Sequence, residues 1–180
     1  MSDSSGGWRR RATALPFRTP WFRVRRDEIT LPDASEIIFH TVEHDGWAAL
    51  LPITPTGLAV MERVYRWPQR AWMLECPAGG LDGEPPELAA RRELEEETGY
   101  RVQQTIALGS FATSSGYTTE RCHLFLGSGA EPHCDPRREA SEQIEIELID
   151  FAGLHARALA GEIEDGPTTL AVLLAAPHLS

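Results

Sequence analysis

The sequence predicts an α/β fold in which helices cover both faces of a mixed β-sheet and a small antiparallel β addition comes first. Strand-like segments fill much of the first half of the chain, a charged helical segment follows, and more strands precede two short terminal helices. With 180 residues and 42% hydrophobic side chains, the chain can bury one substantial core. Together these observations predict one α/β domain with an N-terminal extension.

The N-terminal extension has two predicted parts. Residues 1–19 are small, polar and basic, and we expect a flexible arm, because no apolar stretch of the kind found in a secretory signal follows the basic residues. Residues 20–45 contain two strand-like segments, 20–31 and 36–43, separated by a turn rich in proline and aspartate. This strand pair is too small to be stable alone, so we expect a dimerisation element there. The main domain then covers residues 46–180.

Segments that are rich in strand formers and bounded by glycine or proline predict the strands of the main sheet. We expect these strands at residues 47–53, 58–66, 72–77, 106–112, 122–126 and 144–149. The last segment alternates apolar and charged residues, as a strand with one solvent-exposed face should. Two helices are expected after it, at about residues 151–160 and 168–175, with glycine and proline between them.

A glutamate-rich helix is predicted to begin near Pro85 and to end at Gly99. Proline is tolerated in the first turn of a helix, and glycine readily forms the left-handed residue that ends one. Glu93 is three residues from Glu96 and four from Glu97, so these carboxylates share one face. Such crowding is costly unless water or a metal relieves it, and a hard divalent cation prefers oxygen ligands. The spacing therefore predicts a Mg²⁺ or Mn²⁺ site.

From Glu84 to Tyr100 the residues resemble the box that defines the Nudix hydrolases. That pattern is Glu, seven residues, then Arg-Glu-apolar-any-Glu-Glu-any-Gly-apolar, and every defined position is matched here. A bare glutamate run is usually a solvated helix face, but the matching Glu84, Arg92 and Gly99 argue against that interpretation. The N-terminal part differs, since only four residues separate Gly79 from Glu84 where the pattern has five. We therefore expect a shortened loop before the helix of a Nudix-type α/β/α sandwich.

The resemblance implies a role for each matching glutamate. Glu93 and Glu97 would bind the metal, with Glu96 in the same shell or supporting it, and the Ala78 carbonyl would be a further ligand. Glu142 matches a late acidic position that contributes to metal binding or water activation, unless it is a solvated loop residue. The candidate catalytic residues are therefore Glu93, Glu97 and Glu142.

Further residues are assigned by the same resemblance. The candidate substrate-binding residues are Arg66, Gly79, Leu81 and Tyr117. A surface arginine is the alternative interpretation of Arg66, and Tyr117 lies in a polar loop between two strands. Glu84, Arg92 and Gly99 are assigned structural roles around the metal-binding helix.

From about residue 21 to residue 176 the chain is similar to the ADP-ribose and nucleoside diphosphate-sugar pyrophosphatase branch of the family. This resemblance implies hydrolysis of the diphosphate bond of such a substrate to a nucleoside monophosphate and a sugar phosphate. Two alternatives stay open. One is a hydrolase of nucleoside triphosphates or dinucleoside polyphosphates, and the other is a non-catalytic nucleotide sensor, against which the complete set of glutamates argues.

Composition restricts the possible partners. A formal charge of −10 argues against nonspecific nucleic-acid binding, and no apolar run is long enough for a membrane span. Three scattered cysteines, Cys76, Cys122 and Cys134, indicate free thiols in a reducing cytoplasm. We therefore expect a cytoplasmic homodimer that acts on a small nucleoside diphosphate compound.

Overall fold

The computed structural model describes residues 5–139 and 142–179. The chain divides into two compact units. The first consists of residues 1–46 and 112–121, and the second of residues 47–111 and 122–180. No helix among the described residues has both the length and the apolar character that a membrane crossing requires.

The first unit contains an antiparallel sheet of three strands in chain order. These are β1 (Arg9–Arg18), β2 (Arg23–Thr30) and β3 (Glu36–Glu43). Strands β2 and β3 lie where the sequence predicts them. Residues 112–121, which also belong to this unit, are joined to β3, because the Val42 amide donates to the Tyr117 carbonyl at 2.8 Å.

Strand β1 corrects the prediction of a flexible arm over residues 1–19. Residues 9–18 pair with β2, while residues 1–4 lie outside the described part of the chain. The basic composition suggested disorder, but Arg11 has acidic partners on β2 and β3, at 3.8 Å from Glu28 and 2.7 Å from Glu36. Pro16 falls where the register shifts, so its missing N–H group interrupts no regular ladder.

The second unit is built on a seven-stranded mixed sheet. Its strands are β4 (Trp47–Ile53), β5 (Leu58–Arg66), β6 (Ala71–Glu75), β7 (Ala78–Gly80), β9 (Gln104–Ala112), β10 (Arg121–Ser128) and β12 (Ile144–Asp150). A separate short pair joins β8 (Tyr100–Arg101) to β11 (Glu131–Pro132). The helices are α1 (Pro86–Thr98), α2 (Phe151–Leu159) and α3 (Gly166–Ala175), and 3₁₀ turns cover Ser5–Gly7 and Ala176–His178.

The central strand of this sheet is β4. It runs parallel to β10 and antiparallel to β5 and β7, and the strand order is β12-β5-β4-β10-β9, with β6 on β5. Strand β7 was not predicted, because its three residues are too short a segment for a periodicity argument. It carries the chain from the sheet to α1.

Two buried clusters cover the two faces of the sheet. Ala48 and Leu50 of β4 belong to the cluster that includes Ala89, Ala90 and Leu94 of α1. The alternate residues of β4, which are Ala49, Leu51 and Ile53, belong to a second cluster with Leu154 and Ala158 of α2 and Ala171, Val172 and Ala175 of α3. Since alternate side chains of a strand point to opposite faces, this arrangement confirms the predicted α/β/α sandwich around a mixed sheet.

Helix α1 has the predicted ends. Pro86 lies in its first turn, and Gly99 follows it with a φ of 76° and donates its amide to the Glu95 carbonyl. A Cβ atom at position 99 would also lie 2.2 Å from the Cys134 carbonyl oxygen. Glycine at this position therefore provides both a left-handed conformation and room for a neighbouring backbone.

The shortened loop between β7 and α1 closes in a tight turn. Asp82 and Gly83 have positive φ angles of 49° and 81°, and the Glu84 amide donates to the Leu81 carbonyl at 2.8 Å. Two consecutive left-handed residues reverse the chain within two positions, which is why aspartate followed by glycine suits them. This turn brings Glu84 next to the acidic face of α1.

Candidate active site

Strand β7 approaches the acidic face of α1 closely. The Ala78 amide donates to a Glu97 carboxylate oxygen at 2.9 Å. Gly79 leaves space for Glu93, because a Cβ atom at this position would lie 2.1 Å from that carboxyl group. Glu97 is buried, while Glu96 is partly exposed. The backbone of β7 and the Glu93 and Glu97 side chains of α1 therefore form one compact polar region.

Arg92 connects the turn to the glutamates. Its Nε donates to Glu84 at 2.8 Å, and its Nη1 donates to Glu93 at 2.8 Å and to Glu96 at 3.1 Å. Its Nη2 donates to the Gly80 carbonyl at 2.9 Å. A planar guanidinium can make these bonds at once, so Arg92 offsets part of the repulsion between the carboxylates and fixes the turn to α1.

Burial makes two glutamates of α1, Glu93 and Glu97, weaker acids than usual. It raises the pKa of Glu97, and the nearby Glu62 carboxyl raises it further, while the hydrogen bond from Ala78 opposes the shift. Burial also raises the pKa of Glu93, although Arg92 opposes this change. Both shifts favour the protonated acid over the carboxylate. A cation close to these oxygens would therefore stabilise their ionised forms.

The segment before β12 lies against the C-terminal end of α1. Arg138 holds it there, because its Nε donates to the Glu97 carbonyl and its Nη1 to the Ile144 carbonyl, each at 2.7 Å. Glu142 is in this segment and accepts a hydrogen bond from the Glu139 amide at 2.7 Å. Its charge contributes to the raised pKa values of Glu93 and Glu97, so the fold places it near both.

The predicted substrate-binding residues have different surroundings. Arg66 donates to Glu75 from Nε at 2.9 Å and from Nη2 at 2.6 Å, and nearly half of its side chain is exposed. Leu81 packs against the core beneath α1, and Gly79 faces Glu93. Tyr117 is exposed in the loop of the first unit. The assignment of these residues to substrate binding stays a prediction.

One buried acid, Glu62 of β5, is not among the residues that the sequence predicts to be functional. Its side chain is only 1% exposed, and its Oε1 atom has no hydrogen-bond partner among the described residues. Burial raises its pKa, Arg138 opposes the shift, and Glu75 adds to it. A signal was present in the sequence, since Glu62 interrupts an apolar segment at the same strand face as Val60 and Val64.

The oxygen atoms in this region suit a hard divalent ion, because such ions prefer carboxylate and carbonyl ligands. Among the described residues, no three His, Cys, Asp or Glu side chains gather closely enough to hold an ion in the conformation they adopt here. Arg92 instead bonds to both Glu93 and Glu96, and Glu97 is bonded to Ala78. Binding of an ion therefore requires these side chains to reorient.

Comparisons with known proteins agree with this geometry. The family described as NUDIX domain matches residues 43–170. A methanol dehydrogenase activator from Bacillus methanolicus is 41% identical over 133 residues, which cover 73% of this chain and 70% of that protein. An ADP-ribose pyrophosphatase from Bacillus subtilis (strain 168) is 33% identical over 149 residues, which cover 81% of this chain and 80% of the relative.

A solved structure supports the fold. The crystal structure of an ADP compounds hydrolase superimposes with a TM-score of 0.84, although only 17% of the residues are identical. The superposition covers 96% of this chain and 94% of the other. At this level of identity, the likeness concerns the arrangement of strands and helices.

Proposed function

The chain belongs to the Nudix family, and on this basis we propose that it is a pyrophosphohydrolase that cleaves the diphosphate bond of ADP-ribose or a related nucleoside diphosphate-sugar. The observation that carries the proposal is the buried acidic face of α1, where Glu97 bonds to the backbone of β7 and Gly79 makes room for Glu93. The products would be a nucleoside monophosphate and a sugar phosphate. From ADP-ribose they would be AMP and ribose 5-phosphate.

Nudix hydrolases generally use divalent metal ions, and we propose Mg²⁺ or Mn²⁺ here. Glu93, Glu97 and Glu142 would hold the ion, with Glu96 and the Ala78 carbonyl beside them. When bound, such an ion neutralises phosphate oxygens and lowers the pKa of a coordinated water molecule. Arg92 keeps Glu93 and Glu96 on the same side of α1, and Arg138 fixes the backbone next to Glu142.

A carboxylate would then accept a proton from the attacking water. Glu142 and Glu97 are the two candidates for this base. Glu142 is in an irregular segment, whereas Glu97 is buried and bonded to the Ala78 amide. Arg66 is a proposed contact for the diphosphate.

A product assay over a small substrate panel tests this function. We expect purified protein with Mg²⁺ or Mn²⁺ to release AMP and ribose 5-phosphate from ADP-ribose, or the corresponding products from GDP-mannose or UDP-glucose. EDTA should abolish turnover and excess Mg²⁺ should restore it, because the substrate's negative charge repels the nucleophile without a cation. Chromatographic separation of the products identifies the bond that is cleaved.

The same panel distinguishes the alternatives. It also contains diadenosine polyphosphates and nucleoside triphosphates, and cleavage of these alone would contradict the proposal in favour of the second class of hydrolase. Saturable binding of a nucleotide without product would instead indicate a sensor. Turnover that EDTA does not reduce would contradict the role of the metal ion.

We also propose that the first unit carries a homodimer interface and that the protein is cytoplasmic. This unit exposes several large apolar side chains, which are Trp8, Leu15, Phe17, Trp21, Phe22 and Ile38. Every residue of β1 is exposed as well, and β1 is an edge strand. Exposed apolar surface and an unpaired edge are both typical of surfaces that pair with another chain.

Replacing Phe17 and Trp21 together by serine should convert a dimer to a monomer. The two side chains are 52% and 75% exposed, so their removal should weaken association more than folding. Light scattering coupled to size-exclusion chromatography measures the mass. Trp67→Ser is the matched control, because Trp67 is 73% exposed in the second unit. A monomeric wild type, or a double variant that stays dimeric, would contradict this proposal.

A further inference from the structure

Glu62 occupies a position in β5 where the fold otherwise buries apolar side chains. Its neighbour two residues earlier on the same strand face, Val60, belongs to the cluster beneath α1. Glu62 therefore points to the α1 side of the sheet, and its side chain is 1% exposed. A carboxyl group at such a position is unusual, because acidic residues are rarely buried this completely without a partner.

The cations near Glu62 are engaged elsewhere. Directly across the ladder from Glu62 lies Glu75, which accepts two short hydrogen bonds from Arg66. Arg138 also acts on Glu62 electrostatically, but it donates to the Glu97 and Ile144 carbonyls. The Oε1 atom of Glu62 is left without a hydrogen-bond partner among the described residues.

Two of the carboxyl groups around Glu62, those of Glu97 and Glu142, belong to the proposed catalytic region. The charge of Glu62 acts on Glu97 of α1, and the charges of Glu75 and Glu142 act on Glu62. Placing these acids together in a buried region is unfavourable, and a buried polar atom without a partner adds a further penalty. A divalent ion would offset both effects, because it accepts several oxygen ligands and neutralises their charge.

We propose that Glu62 is an additional carboxylate of the divalent-ion site, supplied by the sheet across from Glu97 of α1. The inference rests on the proposed function, because it assumes that the acidic face of α1 holds an ion. It adds a ligand from outside the glutamate motif. It also accounts for the Oε1 atom of Glu62, which is buried without a hydrogen-bond partner among the described residues.

Direct measurement of Mn²⁺ binding tests the role of Glu62 without a substrate. Glu62→Gln removes the charge and keeps the shape, while Glu62→Met replaces the side chain by an apolar one of similar size that suits a buried position. We expect both variants to bind Mn²⁺ about 10- to 100-fold more weakly than the wild type, as measured by the electron paramagnetic resonance signal of free Mn²⁺. The rise in Tm that Mn²⁺ causes should shrink in parallel.

Glu145→Gln is the matched control, because it makes the same charge change at an exposed position of β12, which is also paired with β5. It should bind Mn²⁺ as the wild type does. Should Glu62→Gln fail to fold by circular dichroism, the methionine variant supplies the measurement. Wild-type Mn²⁺ affinity in a folded Glu62 variant would overturn the inference while leaving the proposed function intact. A wild-type protein that binds no Mn²⁺ would overturn both.

Discussion

Replacing Glu97 by glutamine should lower kcat by about three orders of magnitude or more and leave the fold intact. Glutamine keeps the size of the side chain and its ability to accept a hydrogen bond from the Ala78 amide, which lies 2.9 Å from the carboxylate. It removes the negative charge that we propose holds the divalent ion. Metal ions contribute several kcal/mol of transition-state stabilisation, and each ~1.4 kcal/mol corresponds to a factor of ten in rate. Steady-state kinetics with ADP-ribose and saturating Mg²⁺ measures the effect.

The stability of the Glu97→Gln variant should depend less on pH than the stability of the wild type. Burial raises the pKa of Glu97, so the folded protein retains a proton that the unfolded chain has released once the pH exceeds the usual carboxyl range. The unfolded state then binds fewer protons, and the stability of the metal-free wild type falls as pH rises through this interval. Glutamine cannot ionise, so between pH 5 and 8 the free energy of unfolding should fall less for the variant than for the metal-free wild type. This interval of about three pH units lies above the ordinary carboxyl pKa of about 4.3.

Glu95→Gln is the control within the same glutamate run. Glu95 accepts a hydrogen bond from Arg101 at 2.5 Å, and we assign it no part in ion binding. Its replacement should lower the free energy of unfolding by only about 0.2–1 kcal/mol and leave kcat near the wild-type value. Near-native activity of Glu97→Gln with Mg²⁺ would contradict the assignment of α1 to catalysis.

The glutamate helix could be predicted from sequence because its determinants are local. Proline at the start, glycine at the end and the spacing of Glu93 and Glu97 fix its limits and its acidic face without any knowledge of the rest of the fold. Most strands could be predicted for the same reason, since alternation and bounding turns are properties of a few adjacent residues.

What could not be predicted depends on contacts between distant parts of the chain. Strand β1 is stabilised by partners such as Glu36, which lies 25 positions from Arg11, so composition alone suggested disorder. The Oε1 atom of Glu62 has no hydrogen-bond partner among the described residues, because Arg66 is bonded to Glu75 and Arg138 to carbonyl groups. The sequence alone indicates that Glu62 interrupts an apolar strand face. Which groups the nearby arginines contact is determined only by the tertiary fold.

Gly79→Ala should lower activity strongly while changing the free energy of unfolding only slightly. A Cβ atom at position 79 would lie 2.1 Å from the Cδ and Oε1 atoms of Glu93, so the two groups cannot both keep their places. The obstacle is the end of a flexible side chain, and Gly79 does not have a left-handed conformation that alanine would resist. Glu93 should therefore rotate away while the backbone stays in position, with a change in the free energy of unfolding of about 1 kcal/mol or less.

Displacement of Glu93 should nevertheless lower kcat by about 100-fold, because a misplacement of about 1 Å in a catalytic arrangement can cost that much. Gly80→Ala is a close control, since a Cβ atom there would have its nearest contact at 3.4 Å, on Asp82. The Gly80 carbonyl would still accept its hydrogen bond from Arg92. Steady-state kinetics and thermal unfolding of both variants show whether activity is lost through displacement of Glu93 or through a general change in β7. Equal losses of activity in the two variants would show that the flexibility of β7, rather than the space it leaves for Glu93, is what the reaction requires.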